Sequence, residues 1–244
     1  MSVLLKGAIV RVLLIIPAFN EVENLQALLV ELRQYRSQYD IVVVDDASAD
    51  QTAQIAESNN VPVLRLAANL GIGGAVQTGF KYAVRNGYDI AVQLDGDGQH
   101  DPAWIEHLLK PIASGEMDCV IGSRYMGQDY DRDYKTPFLR RVGMIFSTAV
   151  LFLTTGKKIT DTTSGFRALN YRSFEFFARE YPVDHPEAEA LLMLHQAKFQ
   201  FKEIPVKMRG RTSGRSLFTL LKATQYPIRV LVGFLGILLR GPRE

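Results

Sequence analysis

Short apolar runs alternate with amphipathic patterns along the first part of the chain, and this alternation restricts the possible folds more than any other feature. The predicted strands are Val12–Ile16, Ile41–Val44, Val63–Leu66 and Ile90–Leu94. The predicted helices between them are Glu23–Arg33, Thr52–Ser58 and Gly74–Arg85. Mostly apolar strands separated by helices are typical of a parallel sheet that is covered on both faces. We therefore predict an α/β fold with a mostly parallel central sheet.

Polar residues follow these strands at the points where the strands end. Three pairs stand in such positions: Asn20 and Glu21, Asp45 and Asp46, and Asp95 and Asp97. Ligands of open parallel sheets bind beyond the carboxyl ends of the strands. The sequence therefore predicts a binding site at this edge of the sheet.

Composition excludes few functions. In 244 residues, 47% are hydrophobic and 22% charged, as in a globular protein with a sizeable core. The net charge of +2 gives no reason to expect a nucleic-acid partner. The single cysteine, Cys119, excludes an internal disulfide framework and fits a reducing compartment. Arg11 interrupts the apolar run near the N-terminus, which favours a buried strand over a signal peptide.

The segment Asp95-Gly96-Asp97 is the strongest indication of chemistry. Two carboxylates directly after an apolar strand suit Mg²⁺ or Mn²⁺, with substrate phosphates completing the coordination shell. Gly96 permits the positive φ that a tight turn between them can require. A plain surface turn is the alternative, since Asp-Gly is common in turns.

Two further acids and a glycine-rich segment each allow more than one interpretation. Asp50 precedes a helical pattern, and we predict that it caps the helix. For Asp46, a hydrogen bond to a nucleobase or ribose and a structural role both stay open. The glycines of 71–74 do not form a dinucleotide fingerprint, because Val76 stands where the third glycine is required. Close packing at a helix start explains them better.

Five motifs occur in the order seen in family 2 glycosyltransferases, which the chain resembles. They are Pro17-Ala18-Phe19-Asn20-Glu21, Val44-Asp45-Asp46-x-Ser48-x-Asp50, Asp95-x-Asp97-x-Gln99-His100-x-Pro102, Gly122-Ser123-Arg124-Tyr125 and Ser164-Gly165-Phe166-Arg167. The resemblance covers about residues 10–216 and is greatest to the dolichol-phosphate mannose synthase and polyprenyl-phosphate glycosyltransferase branch. It implies a GT-A fold, a Rossmann-like nucleotide-binding sheet, and inversion at the anomeric carbon.

The resemblance also implies roles for individual residues. The nucleotide-sugar site would comprise Pro17, Ala18, Phe19, Glu21, Val44, Asp46, Asp95, Gly96, Gln99 and Arg211. The metal would be held by Asp95, Asp97 and Gln99, and Asp97 and Asp161 would act in catalysis. The acceptor phosphate would meet Arg124 with Arg140 or Arg141, whose guanidinium groups grip phosphate bidentately. A solvated helix face is the alternative for the last two.

Some features depart from the family pattern or stay open. Leu217 replaces a lysine that often follows the late motif Arg211-x-x-Gly214-x-Ser216, so one phosphate contact is missing or is supplied by Arg215. The Gln-x-x-Arg-Trp motif of processive synthases is absent, which argues against polymerisation. Glu187 and Glu189 are secondary candidates for a catalytic acid, although a polar loop before a helix at Ala190–Ala197 explains them equally. His100 and His107 are interpreted as structural.

The C-terminal residues, 217–244, form a predicted amphipathic segment that follows a catalytic domain of residues 1–216. The uninterrupted apolar stretch runs only from Val230 to Leu239, short of the ~20 residues that span a bilayer. The predicted apolar face of a helix comprises Leu217, Leu220, Leu221, Ile228, Leu231, Phe234, Leu235 and Leu238. The preferred interpretation is a helix lying on the membrane surface. A core helix and a helix that docks on a membrane partner subunit are the alternatives. The basic residues Lys207, Arg209, Arg211 and Arg215 suit an anionic membrane or a phosphate.

These observations lead to one functional hypothesis. A hexose would move from a nucleotide-diphosphate sugar, UDP-glucose in preference to GDP-mannose, to a polyprenyl or dolichyl phosphate at the cytoplasmic face of the membrane. A phosphate acceptor is largely a dianion at neutral pH and needs no strong general base. The alternatives are transfer to a hydroxyl of a cell-wall or surface glycan, and a non-catalytic membrane scaffold. A sugar-phosphate nucleotidylyltransferase would need a glycine-rich triphosphate loop, which Pro17–Glu21 does not resemble.

Overall fold

A computed structural model describes residues 3–5, 8–126, 138–182, 186–210 and 220–240. Side chains are described for residues 10–126, 144–182, 186–210 and 230–240. The predicted contacts of Arg140, Arg141 and Arg211 therefore lie outside the described side chains. The same holds for Arg215 and for the rest of the late motif.

In the described ranges the strands are β1 (Val3–Leu5), β2 (Ala8–Val10), β3 (Val12–Ala18), β4 (Asp40–Asp45), β5 (Val63–Arg65), β6 (Ile90–Gln93), β7 (Cys119–Ser123), β8 (Arg167–Asn170) and β9 (Phe201–Pro205). The helices there are α1 (Val22–Leu32), α2 (Thr52–Ser58), α3 (Gly71–Arg85), α4 (Ile105–Ala113), α5 (Phe138–Thr155), α6 (Tyr171–Arg179), α7 (Pro186–Gln196) and α8 (Leu220–Arg240). Two short 3-10 helices, Arg33–Tyr35 and Pro102–Trp104, follow α1 and precede α4.

Seven strands form the central sheet in the order β5-β4-β3-β6-β8-β7-β9. Strands β3 to β6 are mutually parallel, and β8 runs antiparallel to both of its neighbours, β6 and β7. Because β9 is parallel to β7, β8 is the only reversed strand among the described strands of this sheet. The prediction of a mostly parallel sheet is confirmed. A separate antiparallel hairpin is formed by β1 and β2.

The sheet has an apolar layer on each face. All seven residues of β3 are buried, and their side chains alternate between the two faces. Leu13 and Ile15 belong to the layer that contains Phe80 of α3, whereas Leu14 and Ile16 belong to the layer that contains Leu29 of α1. Both faces are therefore covered, as the continuous apolar runs of the strands predict.

Two helices begin earlier than the sequence pattern predicts. Helix α3 begins at Gly71 instead of Gly74, because Asp46 accepts hydrogen bonds from the amides of Leu70 and Gly71 at its start. Helix α7 begins at Pro186, a residue type favoured at the first helical position. The predicted polar loop at Glu187 and Glu189 is therefore wrong, since both residues lie in the first turn of α7.

Helix α8 packs against α5 and α7. Val230 and Phe234 are buried in the same apolar layer as Leu13 of β3. Leu231, Leu235 and Leu238 are exposed, so the predicted apolar face, which includes Phe234, is divided between core and surface. Among the helices in the described part of the chain, none has both the length and the apolar character needed to cross a membrane.

Candidate functional site

The carboxyl ends of β3, β4 and β6 meet at one edge of the sheet. In the sheet register, Ala18 lies beside Asp45, and the amide of Asp46 donates to the carbonyl of Ala18 at 2.9 Å. On the other side of β3, the amide of Gly96 donates to the carbonyl of Pro17 at 3.2 Å. The structure thus brings together the three polar segments that the sequence predicts at this edge.

The loops after β3 and β4 are joined by hydrogen bonds. The Asn20 amide donates to Ser48 Oγ at 3.0 Å, and the Ala49 amide donates to Asn20 Oδ1 at 2.9 Å. Asn20 takes a φ of 52°, which asparagine tolerates better than most residues. The Glu21 amide donates to Thr52 Oγ1 at 2.9 Å. These bonds fix the backbone that directly follows Phe19, in the predicted nucleoside region.

Asp46 is buried and serves the start of α3. Its two carboxylate oxygens accept from the amides of Leu70 at 2.7 Å and Gly71 at 2.9 Å. Burial raises the pKa of Asp46 more than these two bonds lower it. The structural role left open by the sequence is therefore present, and a nucleoside contact by Asp46 stays a prediction.

Asp50 holds the start of α2. Its carboxylate accepts from the Thr52 amide at 2.9 Å and from the Val22 amide at 3.3 Å. The N-cap position itself is Gln51, which makes no side-chain capping bond. The predicted capping contact is therefore made from one residue earlier, and it also ties α1 to α2.

The acidic loop after β6 lies against three other segments. Asp95 Oδ1 accepts from Gln93 Nε2 at 3.2 Å, and Asp97 Oδ1 accepts from the Gln99 amide at 3.1 Å. The Asp95 amide donates to His100 Nδ1 at 3.0 Å, and the buried His100 ring stacks on Phe166 with 4.9 Å between ring centroids. His100 therefore supports the loop, in agreement with its interpretation as structural.

Two glycines allow this close approach. A Cβ atom at Gly96 would lie 3.0 Å from the carbonyl oxygen of Pro17. A Cβ atom at Gly165 would lie 2.7 and 2.8 Å from the carboxylate oxygens of Asp95. The Ser164-Gly165 segment therefore reaches the Asp95 carboxylate only because residue 165 has no side chain.

The carboxylate and amide ligands that this loop offers fit a hard divalent cation. Within the described residues, no group of three or more His, Cys, Asp or Glu side chains could hold a metal ion. Two neighbouring carboxylates with an amide nearby are too few for a closed cage. They suit a hard cation such as Mg²⁺, which is typically bound through one or two carboxylates, waters and substrate phosphates.

Asp161 and Arg124 form a buried ion pair beyond the end of β7. Asp161 is fully buried, and its two oxygens accept from Arg124 Nε and Nη2, each at 2.7 Å. The Arg124 amide donates to the same carboxylate at 3.1 Å, and Thr163 Oγ1 donates at 3.2 Å. Burial would raise the pKa of Asp161, but Arg124 outweighs it and holds that pKa below its usual value.

Sequence reasoning missed two buried residues near this pair. Glu203 of β9 accepts hydrogen bonds from Thr160 and Asp161 and belongs to none of the motifs. Arg167, known only as part of a motif, donates from Nε to the Ser164 carbonyl and from Nη2 to the Glu187 carbonyl, at 2.8 and 2.7 Å. In a single sequence, a charged residue inside an apolar strand only weakly indicates a functional role. The roles of Glu203 and Arg167 become recognisable only through their contacts with residues distant in the chain.

The protein-family model described as "Glycosyl transferase family 2" matches residues 13–177. The UDP-N-acetylglucosamine–dolichyl-phosphate N-acetylglucosaminyltransferase of Methanococcus voltae is 31% identical over 215 residues, which cover 80% of this chain and 84% of that protein. The undecaprenyl-phosphate mannosyltransferase of Micrococcus luteus is 36% identical over 165 residues, 65% of each chain.

Among solved structures, glucosyl-3-phosphoglycerate synthase from Mycobacterium tuberculosis, crystallised with Mn²⁺, UDP and glucosyl-3-phosphoglycerate, superimposes with a TM-score of 0.72. The match covers 93% of this chain and 79% of that one, at 17% identity. At this identity the likeness shows a common fold.

Proposed function

This chain belongs to glycosyl transferase family 2 and has the GT-A fold, and from this premise we propose that it transfers a hexose from a nucleotide-diphosphate sugar to a polyprenyl phosphate. The observation that carries the proposal is the edge of the sheet, where Asp95 and Asp97 stand beside the ends of β3 and β4. This arrangement offers a nucleoside region and a phosphate region side by side, as a nucleotide sugar requires.

The donor would lie along this edge, with its nucleoside over Pro17, Ala18, Phe19, Glu21, Val44 and Asp46. Its diphosphate would lie toward Asp95, Gly96 and Gln99, with Arg211 approaching from the late motif. UDP-glucose remains the preferred donor over GDP-mannose. The named relatives use different sugars, so the donor is best identified with a panel that includes UDP-N-acetylglucosamine.

Asp95, Asp97 and Gln99 would hold Mg²⁺ or Mn²⁺. When bound, the cation supplies positive charge that stabilises the leaving nucleoside diphosphate. The chain itself contributes the shape of the loop: His100 holds the Asp95 backbone, and the Asp97 carboxylate closes a turn on the Gln99 amide. These bonds keep both carboxylates at the sheet edge before any ligand arrives.

The acceptor phosphate would meet Arg124 together with Arg140 or Arg141. A phosphate monoester has a second pKa of about 6 and is mostly a dianion at neutral pH, so it attacks without a strong base. Asp161 is suited to orienting Arg124 and not to removing a proton, because Arg124 occupies both of its oxygens. Attack from the face opposite the nucleotide would invert the anomeric carbon. The relatives named for dolichyl and undecaprenyl phosphate support this acceptor.

A polyprenyl acceptor places the enzyme at a membrane surface, and we assign that contact to α5 and α8. Phe152 and Leu153 of α5 are exposed, as are Leu235 and Leu239 of α8. Helices of this kind lie on a bilayer with their apolar side chains in the interface. The proposal puts the protein on the cytoplasmic face as a peripheral enzyme, and a partner subunit covering the same side chains is the competing outcome.

The decisive experiment supplies the purified protein with a donor panel and two matched acceptors, a polyprenyl phosphate and the corresponding polyprenol. We expect product only with the phosphate and only with Mg²⁺ or Mn²⁺ present. Product from the alcohol alone would overturn the proposed acceptor. Undiminished turnover in excess chelator would overturn the proposed metal.

The Asp97→Ala variant tests the site within the same assay. We expect turnover to fall by at least about a hundredfold, because the variant lacks a ligand of the cation that would stabilise the leaving diphosphate. The melting temperature should stay close to that of the wild type, since Asp97 is only partly buried. Glu106→Ala, at an exposed ion pair on α4, is the control that should keep full activity. Full activity of Asp97→Ala would refute the assignment.

A further inference from the structure

Glu203 is a buried acid that none of the proposed steps uses. It lies in β9, an edge strand that pairs with β7, and the residue is only 8% exposed. It stands after the end of the family-model match at residue 177. A buried carboxylate is costly unless donors surround it, so its presence inside a strand requires an explanation.

Three hydrogen-bond donors surround this carboxylate. Glu203 Oε2 accepts from the Thr160 amide at 2.7 Å and from Thr160 Oγ1 at 2.9 Å. Glu203 Oε1 accepts from the Asp161 amide at 2.6 Å. Burial raises the pKa of Glu203, while these donors act in the opposite direction. The carboxylate thus fixes two successive backbone amides with its two oxygens.

The same two residues connect Glu203 to Arg124. Thr160 Oγ1 lies 2.8 Å from Ser123 Oγ, at the end of β7, and Ser123 directly precedes Arg124. The Asp161 side chain accepts two hydrogen bonds from the guanidinium group of Arg124, whose side chain is only 6% exposed. Glu203 therefore touches the segment that holds Arg124, and it is separated from Arg124 by Asp161.

We propose that Glu203 is a positioning residue for the acceptor half of the site. It fixes the backbone at Thr160 and Asp161, so that Asp161 presents both oxygens to Arg124 and sets the direction of the guanidinium group. This inference rests on the proposed role of Arg124 at the acceptor phosphate. It assigns no contact between Glu203 and substrate.

The Glu203→Gln variant keeps the size of the side chain and removes one acceptor. Its amide NH₂ must face at least one N–H of Thr160 or Asp161, so one buried donor loses its partner. We expect kcat over KM for the acceptor to fall by roughly 10- to 100-fold, as small displacements of positioned groups do. The dissociation constant of the nucleoside diphosphate should change less than about twofold, because Glu203 makes no hydrogen bond to those donor-half residues that the structure describes. A purely structural defect would weaken both.

Lys202→Gln provides the matched control on the same strand. Lys202 pairs with Glu116 at the surface, at 2.8 Å, and we expect its replacement to leave both parameters unchanged. If Glu203→Gln fails to fold, Thr160→Val removes the hydroxyl that bonds both Glu203 Oε2 and Ser123 Oγ, and Thr160→Ser restores it. The Val variant should then lose acceptor efficiency and the Ser variant should recover it.

Amide hydrogen exchange separates this inference from the proposed function. In the unliganded protein, peptides containing Thr160 and Asp161 should exchange faster in Glu203→Gln than in the wild type and in Lys202→Gln. A wild type that transfers to no polyprenyl phosphate would defeat the proposed function while this measurement still reports on Glu203. Unchanged exchange, or a folded Glu203→Gln variant with wild-type acceptor kinetics, would overturn the positioning role.

Discussion

Asp161 keeps a negative charge at a position with no solvent contact because Arg124 supplies its counter-charge and two hydrogen bonds. The family resemblance implies a role for each residue, Arg124 at the acceptor phosphate and Asp161 in catalysis, without linking the two. Their pairing could not be predicted, since 37 positions separate them in the chain. At this scale the sequence identifies residue types suited to the chemistry, and long-range contacts decide what those residues touch.

The ion pair predicts a pH-dependent stability difference between the wild type and Asp161→Asn. Removing one partner of a buried pair should cost about 3–5 kcal/mol at neutral pH. The folded-state pKa of Asp161 lies below its ordinary 3.8, so this contribution is present above that value. It is lost as the pH falls through the folded-state pKa, where the wild-type side chain is protonated and resembles Asn.

Denaturant unfolding of the two proteins between about pH 3 and pH 7 measures this difference. Thr163→Ser keeps the hydroxyl that donates to Asp161 and accepts from Arg124 Nη2 at 2.8 Å, so it serves as the control and should cost only about 1 kcal/mol. A difference in the free energy of unfolding between wild type and Asp161→Asn that stayed constant from pH 7 down to about pH 3 would contradict the negative charge assigned to Asp161.

Elements differ in how well the sequence predicts them, for a physical reason. Strands β3 to β6 are continuous apolar runs, and their predicted bounds agree with the structure to within two residues. Strands β7, β8 and β9 contain a glycine, an arginine and a glutamate, respectively, which weaken the apolar pattern. Pairing with distant strands stabilises them, and no local pattern reports that pairing.

Gly79 tests the packing of α3 on β3. A Cβ atom there would lie 2.3 Å from Ile15 Cγ2, and Ile15 is a fully buried, β-branched residue of β3. Gly79→Ala should therefore destabilise the protein by about 1–3 kcal/mol through overpacking, despite the better helix propensity of alanine.

Gly236→Ala is the matched control, since nothing lies within 4 Å of a Cβ atom at that exposed helical position. It should be neutral or stabilising by up to about 1 kcal/mol. Thermal and denaturant unfolding of both variants checks the pair. Equal effects at the two glycines would mean that α3 does not pack on β3 at this distance.

At the scale of the whole molecule, the sequence predicts the central sheet. It does not predict which side of a helix is exposed. The helical period assigns Phe234 of α8 to the same face as Leu231 and Leu235, but Phe234 is buried and the two leucines are exposed. Only the packing of α8 on α5 and α7 shows which side chains remain at the surface. The proposed membrane contact therefore depends on tertiary structure and is best tested on those side chains.

Leu153→Ser and Leu239→Ser, combined, should weaken binding to vesicles containing anionic lipid severalfold or more. These side chains are 83% and 85% exposed, so the folded protein should lose less than about 0.5 kcal/mol of stability. Val30→Ser, on the exposed side of α1, is the control and should bind vesicles like the wild type. Co-sedimentation measures the effect, and unaltered binding by the double variant would refute the contact.

The single reversed strand, β8, has a consequence for how such enzymes diversify. Strand β8 runs antiparallel to β7 and begins beside the end of β7. The segment between Ser123 and Arg167 therefore leaves the sheet and returns to it at the same edge. The hydrogen bond between Arg124 and Asp161 joins the beginning of this segment to a residue near its end. An insertion, a deletion or a replaced stretch between Ser123 and Arg167 need not change the register of any strand. The part of the site that we propose for the acceptor can therefore change in sequence and length while the proposed donor part keeps its strands.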